Sequence, residues 1–332
     1  MPGRNPRPQR LPANDEFSRI AWLSKLFSAG LTSSGVSLGI GDDAAILRPS
    51  SSQWVWTVDA CVQHVHFNLS WLSPEDLGWR SLQAAVSDIA AMGATPIAAL
   101  SSLAMPQDTD EKLWRGVARG QARAAKSLKC PLIGGNLSRA GELSIHTTVL
   151  GKAVKPILRR GARAGDDLWL VGAVGAAAAG VTVLRHVPEN RRDAAMRSCV
   201  KAWRRPHALL KEGRQLRGRA SAAIDVSDGI AGDALHIADT SEVALVLEAD
   251  ALLRVIGTRV KKVAQTLKCS PLSWALTGGE DYALLATGKS RAMPSFAQRI
   301  GYVERGRGVW LHSQEGRRVP LGVGFDHFAA AR

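Results

Sequence analysis

The chain has 332 residues, of which 45% are hydrophobic, so it is long enough for about two globular domains with separate cores. Its longest uncharged apolar run, Leu168 to Leu184, is shorter than the roughly 20 residues of a membrane-spanning helix, and we expect no membrane partner. The formal net charge is +14, but the basic residues are scattered, and no zinc-finger spacing or aromatic RNA-binding signature accompanies them. We therefore expect a solvated basic surface or steering of anionic substrates, and no nucleic-acid partner.

The N-terminus and the cysteines favour a cytoplasmic protein. Residues 1–10 are rich in Pro and Arg and lack the apolar core of a signal peptide, and we expect a disordered basic tail over residues 1–13. The cysteines are far apart and form no Cys-x-x-Cys pair, so we expect reduced thiols at Cys61, Cys130, Cys199 and Cys269.

In the first half of the chain, helices and strands are predicted in alternation. Apolar residues at helical spacing predict a helix over 14–27, and Ser73, followed by Pro74 and two acids, begins a longer helix that extends past Asp88. The other predicted elements are a strand at 53–59 that ends on Asp59, strands at 97–103, 131–133 and 143–150, a helix at 108–127, and a loop over Gly134 to Arg139.

A polar, basic stretch at 154–166 contains Pro156, Gly161 and Gly165 and predicts a domain junction near residue 155. Beyond it, strands are predicted at 168–171, 222–226, 243–248 and 282–287. One helix is predicted directly after the first of these strands, and further helices are predicted near 191–203, 207–216, 228–238 and 258–267. Because both halves mix helices and strands, we expect an α+β fold class with two mixed α/β domains, 14–154 and 155–332.

Acidic residues occur in short Gly/Ala-rich segments of this basic chain. They are Asp42, Asp43, Asp59, Asp88, Asp225, Asp228, Glu280 and Asp281. Hard divalent cations such as Mg²⁺ bind carboxylate oxygens and commonly bridge them to substrate phosphates, so the pattern predicts a phosphate-handling metal site. The alternative is ordinary turn chemistry, since Asp and Gly are common turn residues.

The predicted elements indicate how these acids converge. Asp59, Asp225 and Asp228 lie where predicted strands end, positions from which side chains can face one cleft. Asp88 lies in an otherwise apolar helical segment and needs a partner, which is a metal ion, a backbone group or a basic side chain.

Other nucleotide and catalytic patterns are weaker. The glycine pairs at 134–135 and 278–279 can bring backbone N–H groups close to phosphate oxygens. The chain has neither a P-loop nor a Gly-x-Gly-x-x-Gly fingerprint, which disfavours those nucleotide sites, and no recognisable Ser or Cys nucleophile motif surrounds its histidines.

Six ordered motifs give the chain a family resemblance. They are Gly39-Ile-Gly-Asp-Asp-Ala-Ala-Ile-Leu47, Val65-His-Phe67, Ser87-Asp-Ile-Ala-Ala-Met-Gly-Ala-Thr-Pro96, Ala223-Ile-Asp-Val-Ser-Asp-Gly229, Gly278-Gly-Glu-Asp-Tyr282 and Phe325-Asp-His-Phe328. In this order they resemble the thiamine-monophosphate kinases, of the superfamily that includes aminoimidazole-ribotide synthetase and selenophosphate synthetase. The chain lacks the N-terminal Cys/Lys loop of the last of these enzymes.

The resemblance implies a fold, an activity and partners. An aminoimidazole-ribotide-synthetase-like N-terminal domain would bind ATP and Mg²⁺ and form a homodimer through its sheet. The implied reaction is ATP-dependent phosphorylation of thiamine monophosphate to thiamine diphosphate, with several Mg²⁺ ions.

The resemblance also implies roles for individual residues. Oxygens that would bind Mg²⁺ belong to Asp43, Thr57, Val58, Asp59, Asp88, Asn136, Asp225 and Asp228. The residues that would contact ATP are Gly135, Asn136, Arg159 and Ser227. The catalytic residues would be Asp228 and Arg159. The thiamine end would meet His66, Glu280 and Phe325, where an aromatic face suits a cationic ring.

Two motifs depart from the family pattern. The segment Asp59-Ala-Cys-Val-Gln-His64 differs from the family's usual Asp-Thr/Met-Leu-Val-Glu-Gly. The family's Gly-Gly-Asp-Thr appears here as Gly134-Gly-Asn-Leu137, so Asn136 supplies a carbonyl oxygen without a charge. The sequence therefore leaves two alternatives to an active kinase: a catalytically weakened protein that binds ATP or a thiamine phosphate, and a superfamily member that acts on another small phosphorylated substrate.

Overall fold

The computed structural model describes residues 22–23, 25–27, 36–38, 46–47 and 52–322. Residues 22–23 and 25–27 are helical, in agreement with the predicted first helix, whose other residues lie outside the described part. The predicted basic tail, Asp43 and Phe325 also lie outside the described residues. Strands β1 (Val36–Leu38) and β2 (Ile46–Leu47) pair in antiparallel fashion.

Residues 53–153 form a four-stranded sheet covered on one face by two helices. The strands are β3 (Gln53–Val62), β4 (Thr95–Met105), β5 (Leu132–Arg139) and β6 (Ser144–Ala153), in the order β3-β6-β4-β5. Only β4 and β5 are parallel among these pairs. Helices α1 (Pro74–Ala91) and α2 (Glu111–Leu128) pack their apolar residues on the sheet, so this face is buried.

Helix α1 begins as its sequence predicts. The Ser73 hydroxyl accepts the Asp76 N–H at 3.1 Å, and the Asp76 carboxylate accepts the Ser73 N–H at 3.4 Å, which forms a capping box. Pro74 occupies the first turn, where its missing N–H costs nothing. The cap fixes the start of the helix that carries Arg80 and Asp88.

Residues 167–320 form a seven-stranded sheet. Its strands are β7 (Asp167–Val171), β8 (Ala222–Asp225), β9 (Ala244–Glu248), β10 (Leu284–Gly288), β11 (Gln298–Glu304), β12 (Gly308–His312) and β13 (Arg318–Pro320), in the order β13-β12-β9-β11-β7-β10-β8. Only the β12–β9 pair is parallel among these neighbours. The accompanying helices are α3 (Ala176–His186), α4 (Ala194–Arg204), α5 (Leu210–Leu216), α6 (Ile230–Ser241), α7 (Ala249–Val255), α8 (Thr258–Leu267) and α9 (Pro271–Thr277).

The two sheets share a hydrophobic cluster. Leu82 and Val149 of the first half belong to the same buried cluster as Leu216, Ala223 and Leu284 of the second half. Helix α1 lies at this contact, against β8 and α5. The mixture of helices and sheets confirms the predicted α+β class; the boundary near residue 155 stays a prediction.

Two predictions about the first sheet are wrong. The segment predicted as a loop, Gly134 to Arg139, belongs to strand β5, because β4 supplies backbone partners that override its glycine-rich composition. Asp59 does not end its strand, because β3 continues to Val62 and pairs with β6 along its whole length.

Among the described residues, no helix has the length and apolarity to cross a membrane.

Candidate functional site

Three carboxylates converge where β3, α1 and β8 meet. Asp59 lies on β3, Asp88 near the end of α1, and Asp225 at the end of β8. Thr57 Oγ1 donates to Asp88 Oδ2 at 2.5 Å, so the side chain of β3 reaches the acid of α1. The hydroxyl is therefore the partner that Asp88 finds within the described structure.

Burial and the charge of Asp88 act on both Asp59 and Asp225. Burial raises the pKa of Asp59 to about 6 and that of Asp225 to about 7, and the charge of Asp88 raises both. The Ala60 N–H, which Asp59 accepts at 2.7 Å, lowers the pKa of Asp59, and Arg159 lowers that of Asp225. Crowded, partly buried carboxylates favour a bound cation that relieves their repulsion.

The turn after β8 is held by an acid that sequence reasoning missed. Asp233 Oδ2 accepts the N–H of Ser227 at 3.0 Å and that of Asp228 at 3.1 Å. Burial raises the pKa of Asp233 to about 8, and the charges of Asp225 and Asp228 act in the same direction. Its position in the first turn of α6 is the signal that could have identified it, since acids there commonly accept backbone N–H groups.

A second loop packs on this turn backbone to backbone. The Glu280 N–H donates to the Ser227 carbonyl at 2.8 Å, and the Tyr282 N–H to the Val226 carbonyl at 2.9 Å. A Cβ at Gly279 would lie 1.9 Å from the Ser227 carbonyl oxygen, so only glycine fits. This contact accounts for a glycine that the sequence suggested as a phosphate cradle.

The Glu280 side chain joins the two halves of the chain. Trp203 Nε1 donates to Glu280 Oε2 at 2.6 Å, and Arg80 Nη2 donates to Glu280 Oε1. The neighbouring Asp281 accepts the N–H groups of Gly175 and Ala177 at 2.5 and 2.9 Å and so caps α3. The sequence predicted Glu280 but neither of its partners, which no local motif marks.

His66 and Arg159 lie in connecting segments. His66 Nδ1 accepts the Val62 N–H at 3.1 Å, so the half-buried imidazole is held at the end of β3. Arg159 is exposed between β6 and β7, and its charge lowers the pKa of Asp225.

Asn136 faces away from the three carboxylates. Its register partner in β4 is Ser102, whereas Asp59 aligns through Thr147 with Ser101, one residue earlier, so the two side chains project from opposite faces of the sheet. Strands β3 and β5 are also three strand spacings apart, about 14 Å. The fold of one chain therefore does not bring Asn136 to the carboxylates.

The donor chemistry of the junction fits a hard cation. Asp59, Asp88 and Asp225 offer carboxylate oxygens and Thr57 a hydroxyl oxygen, the ligand type that Mg²⁺ prefers. Within residues 52–322 and the shorter described segments, no three His, Cys, Asp or Glu side chains are arranged to hold one ion. Asp43, predicted as a further ligand, is not among the described residues.

Comparison with known proteins defines the family. A family model described as "AIR synthase related protein, N-terminal domain" matches residues 41–153. The thiamine-monophosphate kinase of Aquifex aeolicus (strain VF5) is 32% identical over 321 residues, which cover 96% of this chain and all of that protein. The chain belongs to the thiamine-monophosphate kinase family.

Further members and a solved structure agree with this assignment. The thiamine-monophosphate kinase of Bacillus subtilis (strain 168) is 32% identical over 89% of this chain and 94% of that protein. The solved structure named "AaThiL complexed with AMPPCP and TMP" has a TM-score of 0.79 and 31% sequence identity, with 97% of this chain and 99% of that chain covered. The shared fold thus extends over both sheets.

Proposed function

We propose that this chain transfers the γ-phosphoryl group of ATP to the phosphate of thiamine monophosphate and so forms thiamine diphosphate. The observation that carries the proposal is the convergence of Asp59, Asp88 and Asp225 at one junction, in a chain of this family. The solved family structure is named as a complex with AMPPCP and TMP, and an ATP analogue beside a monophosphate is the ligand pair that represents the two substrates of such a reaction.

The reaction needs positioning and charge neutralisation more than a catalytic base. A phosphate monoester is already mostly anionic at neutral pH, so its oxygen can attack the γ-phosphoryl group directly. Repulsion between the two anions is the obstacle, and we assign its offset to Arg159, whose charge also lowers the pKa of Asp225. In the described part of the chain, Asp59, Asp88 and Asp225 are not arranged around a single ion. They would hold more than one Mg²⁺, whose chemistry there would be neutralisation of phosphate oxygens.

The remaining assignments divide the site between its two substrates. For ATP and its ions we propose oxygens or N–H groups of Asp43, Thr57, Val58, Gly135, Ser227 and Asp228. We assign binding of the thiamine end of thiamine monophosphate to His66, Glu280 and Phe325. Glu280 supports this division, because its backbone is bonded to the Ser227 loop while its side chain points towards Arg80 and Trp203.

A homodimer formed through the four-stranded sheet is also part of the proposal. The sheet face opposite the helices carries large exposed apolar side chains, with 69% of Trp56, 66% of Val58 and 38% of Leu100 accessible. An apolar surface of this kind is typical of a protein interface. Asn136 lies on the same face, so its carbonyl oxygen would belong to the interface side of the sheet.

The dimer is tested by sedimentation equilibrium of the wild type and a Trp56→Glu variant. The expected masses are those of a dimer and a monomer, because a charge at the interface centre opposes association. Val319→Glu is the control, since Val319 is 45% exposed on the other sheet. A monomeric wild type, or a Trp56→Glu variant that stays dimeric, contradicts the proposal.

The activity is tested with purified protein, ATP, Mg²⁺ and thiamine monophosphate, with thiamine diphosphate measured by chromatography. We expect product from the wild type and much less from Asp228→Asn, which removes one charge from the turn after β8. A wild-type yield no higher than that of this variant overturns the proposed activity.

Asn136 favours a second candidate function, a weakened protein that binds the same ligands. Calorimetry that shows Mg²⁺-dependent binding of ATP or thiamine monophosphate without turnover supports this candidate. Gain of turnover in Asn136→Asp, assayed beside the wild type, strengthens it, because the substitution restores the family's carboxylate. A wild type that turns over as fast as an active Asn136→Asp variant excludes it.

A further inference from the structure

We propose that Arg80 and Trp203 are positioning residues that clamp the Glu280 carboxylate and thereby set the affinity for thiamine monophosphate. The inference rests on the proposed function and adds two residues to it. Each oxygen of the carboxylate has its own donor: Arg80 Nη2 for Oε1 and Trp203 Nε1, at 2.6 Å, for Oε2.

The clamp joins elements that are remote in the sequence. Arg80 lies on α1 of the first half, Trp203 near the end of α4, and Glu280 in the loop before β10. Arg80 Nη1 also donates to the Trp203 carbonyl at 2.5 Å, and its guanidinium lies 4.5 Å from the centroid of the Trp203 ring. The three side chains therefore fix one another.

The burial of Arg80 favours a role beyond packing. Its side chain is 1% exposed, whereas that of Glu280 is 28% exposed, so the cation lies beneath a carboxylate that reaches the surface. Arg80 Nε is buried and has no hydrogen-bond partner among the described atoms. A buried ion pair with an unsatisfied donor stabilises a fold less than apolar packing does. We therefore assign to Arg80 the orientation of the Glu280 carboxylate.

The backbone of Glu280 is constrained as well. Its φ angle is +67°, in the left-handed region that side chains with a Cβ rarely adopt, and its N–H is bonded to the Ser227 carbonyl. Such a conformation persists where the surroundings determine it, and it concentrates at functional sites. Backbone and carboxylate are thus both held in one position.

The clamped carboxylate keeps the capacity to bind a ligand. A carboxylate has about four lone-pair positions, and the two donors occupy two of them. The remaining ones, on a group 28% exposed, can accept an N–H group or attract the cationic ring of thiamine. ATP has no cationic ring, so loss of the clamp is expected to weaken one substrate selectively.

The test compares the KM values for both substrates in the full-length wild type, three variants of the clamp and one control variant. Trp203→Phe keeps an aromatic ring but loses the indole N–H donor. Arg80→Met removes the charge and the donors, and Arg80→Lys keeps the charge but not the planar fork. We expect the KM for thiamine monophosphate to rise about threefold in Trp203→Phe and about tenfold or more in Arg80→Met, with partial rescue in Arg80→Lys and a KM for ATP within about twofold of the wild type.

Gln83→Met is the matched control. Gln83 is equally buried on α1 and accepts the Ala208 N–H at 2.8 Å, so its loss removes a contact between the halves without touching Glu280. Thermal melts establish that each variant is folded. Equal rises of both KM values, the same KM changes in Gln83→Met, or an unchanged KM in Trp203→Phe overturn the clamp.

Calorimetric titration of thiamine monophosphate into the same proteins separates this inference from the proposed activity. If the wild type binds but does not turn over, the proposed activity fails, and a weaker affinity in Trp203→Phe still supports the clamp. If the wild type neither binds nor phosphorylates thiamine monophosphate, both are overturned.

Discussion

Asp233 organises the candidate site without being one of its predicted ligands. One of its oxygens accepts two backbone N–H groups, those of Ser227 and Asp228, and in the metal-free protein burial raises its pKa to about 8, so that it is mainly protonated at pH 7. The acid therefore acts as a neutral acceptor that fixes the turn after β8.

Substitution of Asp233 tests this role. Asp233→Asn keeps an acceptor oxygen and no charge, and we expect activity within about threefold of the wild type at pH 7. Asp233→Ala leaves two partly buried N–H groups without their carboxyl partner and is expected to lower the free energy of unfolding by about 1–3 kcal/mol and the activity by about tenfold or more. Denaturation and kinase assays measure both; an Asn variant as impaired as the Ala variant contradicts the interpretation.

Asp281 gives the stability of the metal-free protein a pH dependence. Burial raises its pKa from 3.8 to about 7, against the effect of the N–H groups it accepts. Since the folded state binds the proton more tightly, this contribution is complete below about pH 4 and is lost as the pH rises through 7.

We expect Asp281→Asn to flatten this dependence. Between pH 5 and 7 the free energy of unfolding of the wild type should fall more steeply than that of the variant, by up to about 1.4 kcal/mol per pH unit. Urea denaturation in EDTA at several pH values measures the difference. Parallel curves for the two proteins contradict the expected effect.

At the scale of elements, local signals predicted helices better than strands. Helix α8 has the predicted bounds, and α1 begins at its capping Ser73, because caps and apolar spacing are local properties. Strands β11 to β13 were not predicted, and the glycine-rich β5 was predicted mainly as a loop, because the pairing that forms them depends on distant neighbours.

The close contact of two loops leads to a prediction at this scale. Gly279→Ala places a Cβ against the Ser227 carbonyl, and the loops must separate, so we expect a loss of about 1–3 kcal/mol in the free energy of unfolding and at least about tenfold in activity. Gly141→Ala is the control, since a Cβ there meets nothing within 4 Å. Equal effects of the two substitutions contradict the packing account.

At the scale of the whole molecule, the site exists only because the two halves share a core. Arg80 and Glu280 are 200 residues apart in the chain yet form an ion pair. The sequence predicted Asp59, Asp88 and Asp225 through their motifs, whereas Arg80 and Trp203 act through contacts with Glu280 that only the packing of distant elements creates. Asp233 differs from these two, since its contacts lie within its own turn. For Asn136 the motif was misleading. The family motif groups this residue with the acids, but in the sheet it lies on β5, three strands away from Asp59.

The most direct test follows the γ-phosphoryl group itself. Full-length protein is mixed with Mg²⁺, thiamine monophosphate and ATP labelled at the γ-phosphate, and the products are separated over time for the wild type and Asp225→Asn. We predict that the wild type places the label in the terminal phosphate of thiamine diphosphate, with one ADP formed for each labelled product, and that the variant is slower by at least about 100-fold. Label that appears only as inorganic phosphate, or equal transfer by both proteins, would contradict the account.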